Sequence, residues 1–129
     1  EMCIRDRFMG KNKSFNTDEV LIKIAQLFVS RGYNGTSLDD IVEKTGLLRG
    51  SLYGTFGSKL GMFVATLELC LKEGEDDLKW GLLIVAMLEV TARNKKVFDI
   101  VEEWYLDNQH EEIAKQLGFV LLKNSGIMK

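Results

Sequence analysis

The sequence has no proline, one histidine and only two cysteines, Cys3 and Cys70, among its 129 residues. Two cysteines cannot form a disulfide framework and show no metal-ligand spacing, so we expect a reducing, cytoplasmic location and no metal or other cofactor. The longest uncharged runs have nine residues. A membrane span needs about 20 apolar residues, so we expect no membrane segment.

Charge of one sign does not dominate the sequence either. Lys and Arg total 17 and Asp and Glu total 19, which gives a net charge of −2. This balance removes the general argument for a basic nucleic-acid-binding protein, so any claim of DNA binding must rest on a local motif. Apolar residues make up 46% of the chain, and the length is that of one ordinary domain, so the chain can bury a core.

The first residues do not follow the pattern of the rest. The opening EMCIRDRF has no apolar period and resembles a translated sequencing adapter, and Met9 is a plausible start. We therefore expect residues 1–14 to be a disordered arm or a sequence artefact. Within them, Lys11 and Lys13 form either a minor-groove arm or merely a disordered tail.

Apolar residues recur at helical spacing along the remaining chain, and no segment alternates with a period of two. The pattern predicts an all-α fold without strands. Thr17, Ser37 and Asn94 can cap helix N-termini. Residues 80–88 are apolar on every side, which predicts a helix surrounded by protein, and the apolar stripe loses phase near Asp107, which predicts a helix break.

Residues 36–59 are the most informative stretch. After a longer first helix, they contain a short helix over about 38–44, a glycine-containing turn at 45–47 and a third helix from about residue 48. The second helix starts with a capping box in which Asp takes the place of Glu. Two short helices in this arrangement predict a helix-turn-helix unit.

The third helix is predicted to bury Leu48, Leu52 and Phe56 at helical spacing. Small residues on its outward side would let the helix lie deep in a DNA major groove, where hydroxyls and Arg can reach bases and phosphates. The alternative is a helical hairpin whose third helix is polar because it faces water. The outward residues are Arg49, Gly50, Ser51, Tyr53, Gly54 and Thr55.

Two short sequence elements, at a set distance from each other along the chain, resemble those of a known protein family. The first is Gly32-Tyr33 followed by Thr36-Ser37, and the second runs from Gly50-Ser51-Leu52-Tyr53 to Phe56 and Ser58-Lys59. With these elements, residues 17–67 resemble the DNA-binding domain of TetR-type transcriptional repressors. The resemblance implies a homodimeric bacterial regulator whose recognition helix reads an operator half-site. It also implies C-terminal helices that dimerise and bind a small effector, which releases the DNA.

The same resemblance implies roles for individual residues. Thr36 and Ser37 would donate to backbone phosphate, and the Tyr53 hydroxyl and the Lys59 ammonium group would also contact phosphate. Arg49 would pair with guanine or phosphate. The whole DNA-binding set implied in this way is Thr36, Ser37, Arg49, Gly50, Ser51, Tyr53, Gly54, Thr55 and Lys59.

The sequence departs from the family pattern in two respects. Leu48 stands where the family has Ser or Asn as the cap of the recognition helix, and the loss of such a cap costs about 1 kcal/mol. Relatives also have a much longer helical domain after the DNA-binding domain. We therefore expect a helix-turn-helix domain over residues 15–61 and a shortened helical ligand and dimerisation domain over residues 62–129, from a truncated or internally deleted repressor.

These observations predict a sequence-specific DNA-binding regulator, a repressor in the first instance, and no enzyme. The alternative is a truncated helical interaction protein that pairs with a full-length relative without binding DNA. We interpret His110 as a solvated surface residue and Cys70 as a core residue. An apolar effector pocket or, more simply, an ordinary helical core accounts for Trp80, Leu83, Met87, Trp104 and Tyr105.

Overall fold

A computed structural model describes residues 15–73 and 76–129, together with the backbone of residues 5–6 and 9–10. Two-residue strands β1 (Arg5–Asp6) and β2 (Met9–Gly10) pair in parallel. Beyond this short pairing, the described chain is helical, as the absence of a period-two pattern predicts. The predicted basic arm residues Lys11 and Lys13 lie outside the described residues.

Seven α-helices account for most of the described residues, and the predicted all-α fold is confirmed. A π-helical segment, Ala86–Val90, follows the fifth helix directly. The helices are α1 (Thr17–Arg31), α2 (Leu38–Thr45), α3 (Arg49–Phe56), α4 (Lys59–Glu73), α5 (Asp76–Val85), α6 (Lys95–Leu106) and α7 (His110–Ser125).

Side-chain caps define where several helices begin. Ser37 caps α2 and Asn94 caps α6, each by accepting a hydrogen bond from a backbone N–H three residues on, as predicted. The cap of α1 is Asn16 rather than the predicted Thr17, because the Asn16 Oδ1 accepts from the Glu19 N–H at 3.1 Å. The predicted break near Asp107 is confirmed, since α6 ends at Leu106 and α7 begins at His110.

One hydrophobic core joins the front and the back of the described chain. Phe28 of α1, Leu52 of α3 and Phe63 of α4 are fully buried in it, and so are Leu82 of α5 and Val97 of α6. Helix α5 packs against α1 as well as against α4. The helix-turn-helix unit is therefore held against the C-terminal helices by shared core residues.

The apolar segment 80–88 is enclosed only in part. Leu82 and Leu83 are fully buried, whereas Met87 and Leu88 are exposed. The prediction that protein surrounds this segment on all sides is therefore wrong for its last two residues. The change coincides with the start of the π-helical segment, whose wider turn alters which side chains face the core.

Candidate nucleic-acid interface

Helices α2 and α3 are joined by a tight turn that local hydrogen bonds hold in place. Gly46 ends α2 with φ +74°, a left-handed conformation that favours glycine, and its N–H donates to the Val42 carbonyl at 2.8 Å. The Thr45 hydroxyl donates to the Ile41 carbonyl and accepts from the Leu47 N–H. These contacts fix the direction in which α3 leaves α2, and the predicted helix-turn-helix unit is present.

The outward side of α3 is nearly bare of side chains. Gly50 and Gly54 lie four residues apart, and therefore on one side of the helix. Both are exposed, and a Cβ atom at either position would have no other atom within 4 Å. Ser51 is exposed between them, while Thr55 is half-buried at the edge of this surface. The backbone of α3 can therefore approach a partner closely.

Arg49 stands at the first position of α3 and forms an ion pair with Asp39 of α2. Both side chains are largely exposed, so the pair contributes little to stability. A guanidinium group has five N–H donors, and the carboxylate contact uses only part of them. Arg49 therefore retains donors for a partner at the N-terminal end of α3.

Thr36 is the one predicted contact residue that does not lie on the surface. Its side chain is buried, with 1% relative exposure, and its hydroxyl donates to the Gly32 carbonyl at 2.7 Å. Its N–H points inward as well, donating to the Tyr33 carbonyl. Both donors of Thr36 are thus bound within the protein at the start of α2, and the phosphate contact that the resemblance implies stays a prediction.

Ser37 is exposed and closes the predicted capping box with Asp40. The Ser37 hydroxyl accepts from the Asp40 N–H at 3.0 Å, and the Ser37 N–H donates to the Asp40 carboxylate at 2.9 Å. These hydrogen bonds, with a smaller contribution from the nearby Arg31, hold the pKa of Asp40 below its ordinary value. The Arg31 guanidinium lies 3.3 Å from the carboxylate and offsets its charge. The Ser37 hydroxyl also hydrogen-bonds to the Asp40 carboxylate, so it must exchange or share this acceptor when it donates to a partner.

Lys59 and Tyr53 lie near the ends of α4 and α3 that face each other. Lys59 is half-buried, and its Nζ lies 4.4 Å from the centroid of the Tyr33 ring, a cation–π contact. The Tyr33 ring packs edge-on against Phe63 in the core, and burial raises the pKa of its phenol. Tyr53 is largely exposed. Lys59 is therefore positioned by the core, and Tyr53 is accessible.

Leu48 is a surface residue, which the helical spacing in the sequence did not predict. It is predicted to be buried with Leu52 and Phe56, but its relative exposure is 76%. Leu48 is the N-cap of α3, has an extended backbone and makes no side-chain cap hydrogen bond. Because it precedes the first helical residue, helical spacing does not govern its direction, and Leu47 takes the partly buried place instead. The predicted absence of a cap is confirmed.

A second candidate site lies among the C-terminal helices. A cavity of about 360 Å³ opens between the π-helical segment, α6 and α7. Trp80 packs edge-on against Trp104, whereas Leu83 is a core residue, so the proposed pocket residues divide between the cavity and the core. The apolar residues lining the cavity are Met87, Phe98, Val101, Trp104, Tyr105, Ile113, Ala114 and Leu117.

His110 and Cys70 have the environments predicted for them. His110 is exposed and its ring stacks on Tyr105, with centroids 4.1 Å apart. Cys70 is buried, and burial raises the pKa of its thiol to about 11. A thiol with that pKa stays protonated near neutral pH, which disfavours nucleophilic or redox-sensing chemistry.

The helix-turn-helix geometry agrees with a comparison of the sequence with known families. Residues 21–66 match the family described as bacterial regulatory proteins, tetR family. Residues 21–66 therefore form a domain of the tetR-family type. The matched residues include all of α2 and α3, so the tetR-family domain holds the bare outward side of α3.

Curated relatives support the tetR assignment. YezE of Bacillus subtilis, an uncharacterized HTH-type transcriptional regulator, is 42% identical over 60 residues, 46% of this chain and 31% of YezE. ComR of Escherichia coli, an HTH-type transcriptional repressor, is 41% identical over 66 residues, 51% of this chain and 31% of ComR. FasR of Mycolicibacterium smegmatis, an HTH-type transcriptional activator, is 36% identical over 101 residues, 78% of this chain and 44% of FasR.

The chain therefore spans less than half the length of each of these three relatives. No solved structure matches it significantly. Within residues 15–73 and 76–129, none of the helices combines the length and the hydropathy needed to cross a membrane.

Proposed function

We propose that this chain is a sequence-specific, DNA-binding transcriptional regulator that places α3 in the major groove. The observation that carries the proposal is the exposed side of α3, where Gly50 and Gly54 leave the backbone uncovered beside Arg49 and Ser51. A helix that only faced water would have no need of two bare positions, which lower its stability. The names of YezE, ComR and FasR, all HTH-type regulators, support the same function.

In the proposed complex, phosphate contacts orient the protein and α3 reads the bases. Ser37 at the start of α2, Tyr53 and Lys59 supply the phosphate contacts. Ser51, Thr55 and the donors of Arg49 reach base edges. Because Arg49 is already paired with Asp39, DNA binding must exchange or share this carboxylate partner.

The test is a selection of bound sequences from a random duplex library, followed by affinity measurements at several salt concentrations. We expect Lys59→Ala to weaken binding to all sequences and to reduce the salt slope by about 1. Ser51→Ala should change the preferred sequence instead. Lys72→Ala is the matched control, because Lys72 carries the same charge at the far end of α4 and is exposed. If Lys59→Ala and Ser51→Ala both keep the DNA affinity and the sequence preference of the wild type, the proposal is wrong.

The regulator is further proposed to act as a repressor that a small apolar effector releases from DNA. The 360 Å³ cavity with its aromatic and aliphatic lining is of the size and chemistry of a small-molecule site. The fluorescent probe 1-anilinonaphthalene-8-sulfonate tests it. We expect the probe to bind the wild type, to lower its DNA affinity, and to do neither in Ala114→Phe, which fills the cavity. Probe binding without any effect on DNA affinity would contradict effector release.

A homodimer is the proposed form of the regulator. Leu106 of α6 and Phe119, Leu121 and Leu122 of α7 are large exposed apolar residues, and such residues mark interaction surfaces when they are contiguous. A two-fold dimer would select inverted half-sites. The same residues also favour the alternative, pairing with a full-length relative. Light scattering separates the two: a dimer with DNA affinity supports the proposal, and a monomer without it supports the alternative.

A further inference from the structure

Leu48 has a placement that the free protein does not account for. Its side chain is 76% exposed, although leucine is usually buried. It also occupies the N-cap of α3, where Ser or Asn would satisfy a backbone N–H that here has no side-chain acceptor. In the free protein, Leu48 therefore leaves α3 without a side-chain cap and exposes apolar surface, and it is not among the residues that pack against the core.

The position of Leu48 indicates which kind of partner could cover it. In helix-turn-helix proteins, the residues at the N-terminal end of the recognition helix contact base edges in the major groove. Leu48 directly precedes Arg49, the first residue of α3. The bare positions Gly50 and Gly54 let this end of the helix approach closely. The only apolar group that bases present in the major groove is the C5-methyl of thymine.

We propose that Leu48 is a specificity-determining residue that packs on a thymine methyl group in each operator half-site. The inference rests on the proposed DNA binding of α3 and adds a base preference to it. Arg49 would supply the polar contact beside it, to a guanine or a phosphate. Leu48 selects for thymine because cytosine and the purines offer a polar group or no methyl at that place in the groove.

The experiment compares thymine with uracil, which lacks only the methyl group. Each thymine of the selected operator is replaced singly by uracil, and the affinity of the wild type and of Leu48→Ala is measured for every duplex. We expect one thymine per half-site at which the wild type loses about fourfold in affinity, the effect of one buried methyl group. Leu48→Ala should show no loss at this thymine. Leu88→Ala is the matched control, because Leu88 is also 76% exposed but lies outside the helix-turn-helix unit.

Leu48→Ser provides a second test, in which thermal stability and the preference for thymine should change in opposite directions. It restores a cap, so its thermal unfolding midpoint should rise while its preference for the thymine falls. An equal uracil effect in the wild type and Leu48→Ala, or none at any thymine, overturns the role of Leu48 while DNA binding stands. A selection that yields no preferred sequence overturns the proposed function as well. A changed association state of Leu48→Ala in light scattering, with DNA binding unaltered, would assign the residue to a protein contact instead.

Discussion

A single side chain, Ser37, connects the stability of α2 with the surface that we propose for DNA. Its oxygen caps α2 and its backbone N–H binds the Asp40 carboxylate. Thr36, its neighbour, uses its hydroxyl inside the protein. Of the two adjacent hydroxyl residues that the family resemblance implies as phosphate contacts, only Ser37 is therefore exposed to a partner.

Replacing Ser37 by Ala should lower the free energy of unfolding by about 1 kcal/mol at neutral pH, because α2 loses its cap. The pKa of Asp40 should rise part of the way toward its ordinary value. The hydrogen bond from the backbone N–H of residue 37, the largest cause of the lowered pKa, remains, but the Ser37 side-chain hydrogen bond, the second cause, is lost. Carboxyl chemical shifts of Asp40, followed by NMR against pH, measure this change. Ser30→Ala, which removes a hydroxyl bonded to the Leu27 carbonyl within α1, should leave the pKa of Asp40 unchanged.

The sign of the pH dependence follows from the same shift. The pKa of Asp40 is lower in the folded chain than in the unfolded chain. Its contribution is therefore fully present above the unfolded pKa, about 3.9, and is lost as the pH falls through the folded value. In Ser37→Ala, the pH dependence of unfolding below about pH 5 should be shallower than in the wild type. An equal dependence in both proteins would contradict the capping-box account.

At the scale of elements, two glycines on either side of the turn between α3 and α4 have different reasons to be glycine. A Cβ atom at Gly54 would meet nothing within 4 Å. A Cβ atom at Gly61 would collide with the backbone carbonyl oxygen of Phe56, the last residue of α3. Gly61 is thus required by the packing of α3 on α4, whereas Gly54 is not required by anything in the folded chain.

Gly54→Ala should therefore raise the free energy of unfolding by about 0.5–1 kcal/mol, because alanine favours the helix. It should weaken DNA binding, since a methyl group is added to the bare side of α3. Gly61→Ala should instead lower the free energy of unfolding by about 1–3 kcal/mol, as overpacking does. Urea unfolding and duplex affinity measure both effects. A Gly54→Ala protein that binds DNA as well as the wild type would show that this side of α3 does not approach DNA closely.

The helices were predictable where a capping residue or a glycine marks their ends. Asn94 and Gly46 mark such ends, and the helices around them agree with the prediction. Leu48 was not predictable by spacing, because the i to i+4 rule holds only within a helix and Leu48 stands just before one. The π-helical segment was not predictable either, because the residue types of Ala86–Val90 do not distinguish a π turn from an α turn.

Across the whole molecule, Glu89 links the π-helical segment with the loop between α1 and α2. It lies in the π-helical segment, and its carboxylate accepts from the Asn34 N–H at 2.8 Å in the loop between α1 and α2. The same carboxylate lies against Gly32, where a side chain would collide with it. Met87 and Thr91, which flank Glu89, line the cavity. The cavity and the start of the helix-turn-helix unit are therefore joined through one short segment.

Glu89→Ala should lower the free energy of unfolding by about 1–2 kcal/mol, because a hydrogen bond to a charged acceptor is lost. Hydrogen exchange of the Asn34 amide should become faster at the same time. Glu89→Gln, which keeps an acceptor oxygen, should restore part of the protection. Glu103→Ala, an exposed acidic residue of α6, is the control and should change neither quantity. Unaltered exchange at Asn34 in Glu89→Ala would contradict the link.

The π-helical segment lets this link tolerate the loss of one residue. A π turn contains one residue more than an α turn, so Ala86–Val90 holds a single surplus residue. Deleting the exposed Leu88 would let the segment wind as ordinary α-helix. Glu89 would then follow Val85 by three α steps of about 100° instead of four narrower π steps, so it would keep nearly the same direction around the helix axis and its place beside the Asn34 amide. A three-nucleotide deletion in the gene that removes Leu88 would thus preserve the connection between the cavity and the helix-turn-helix unit.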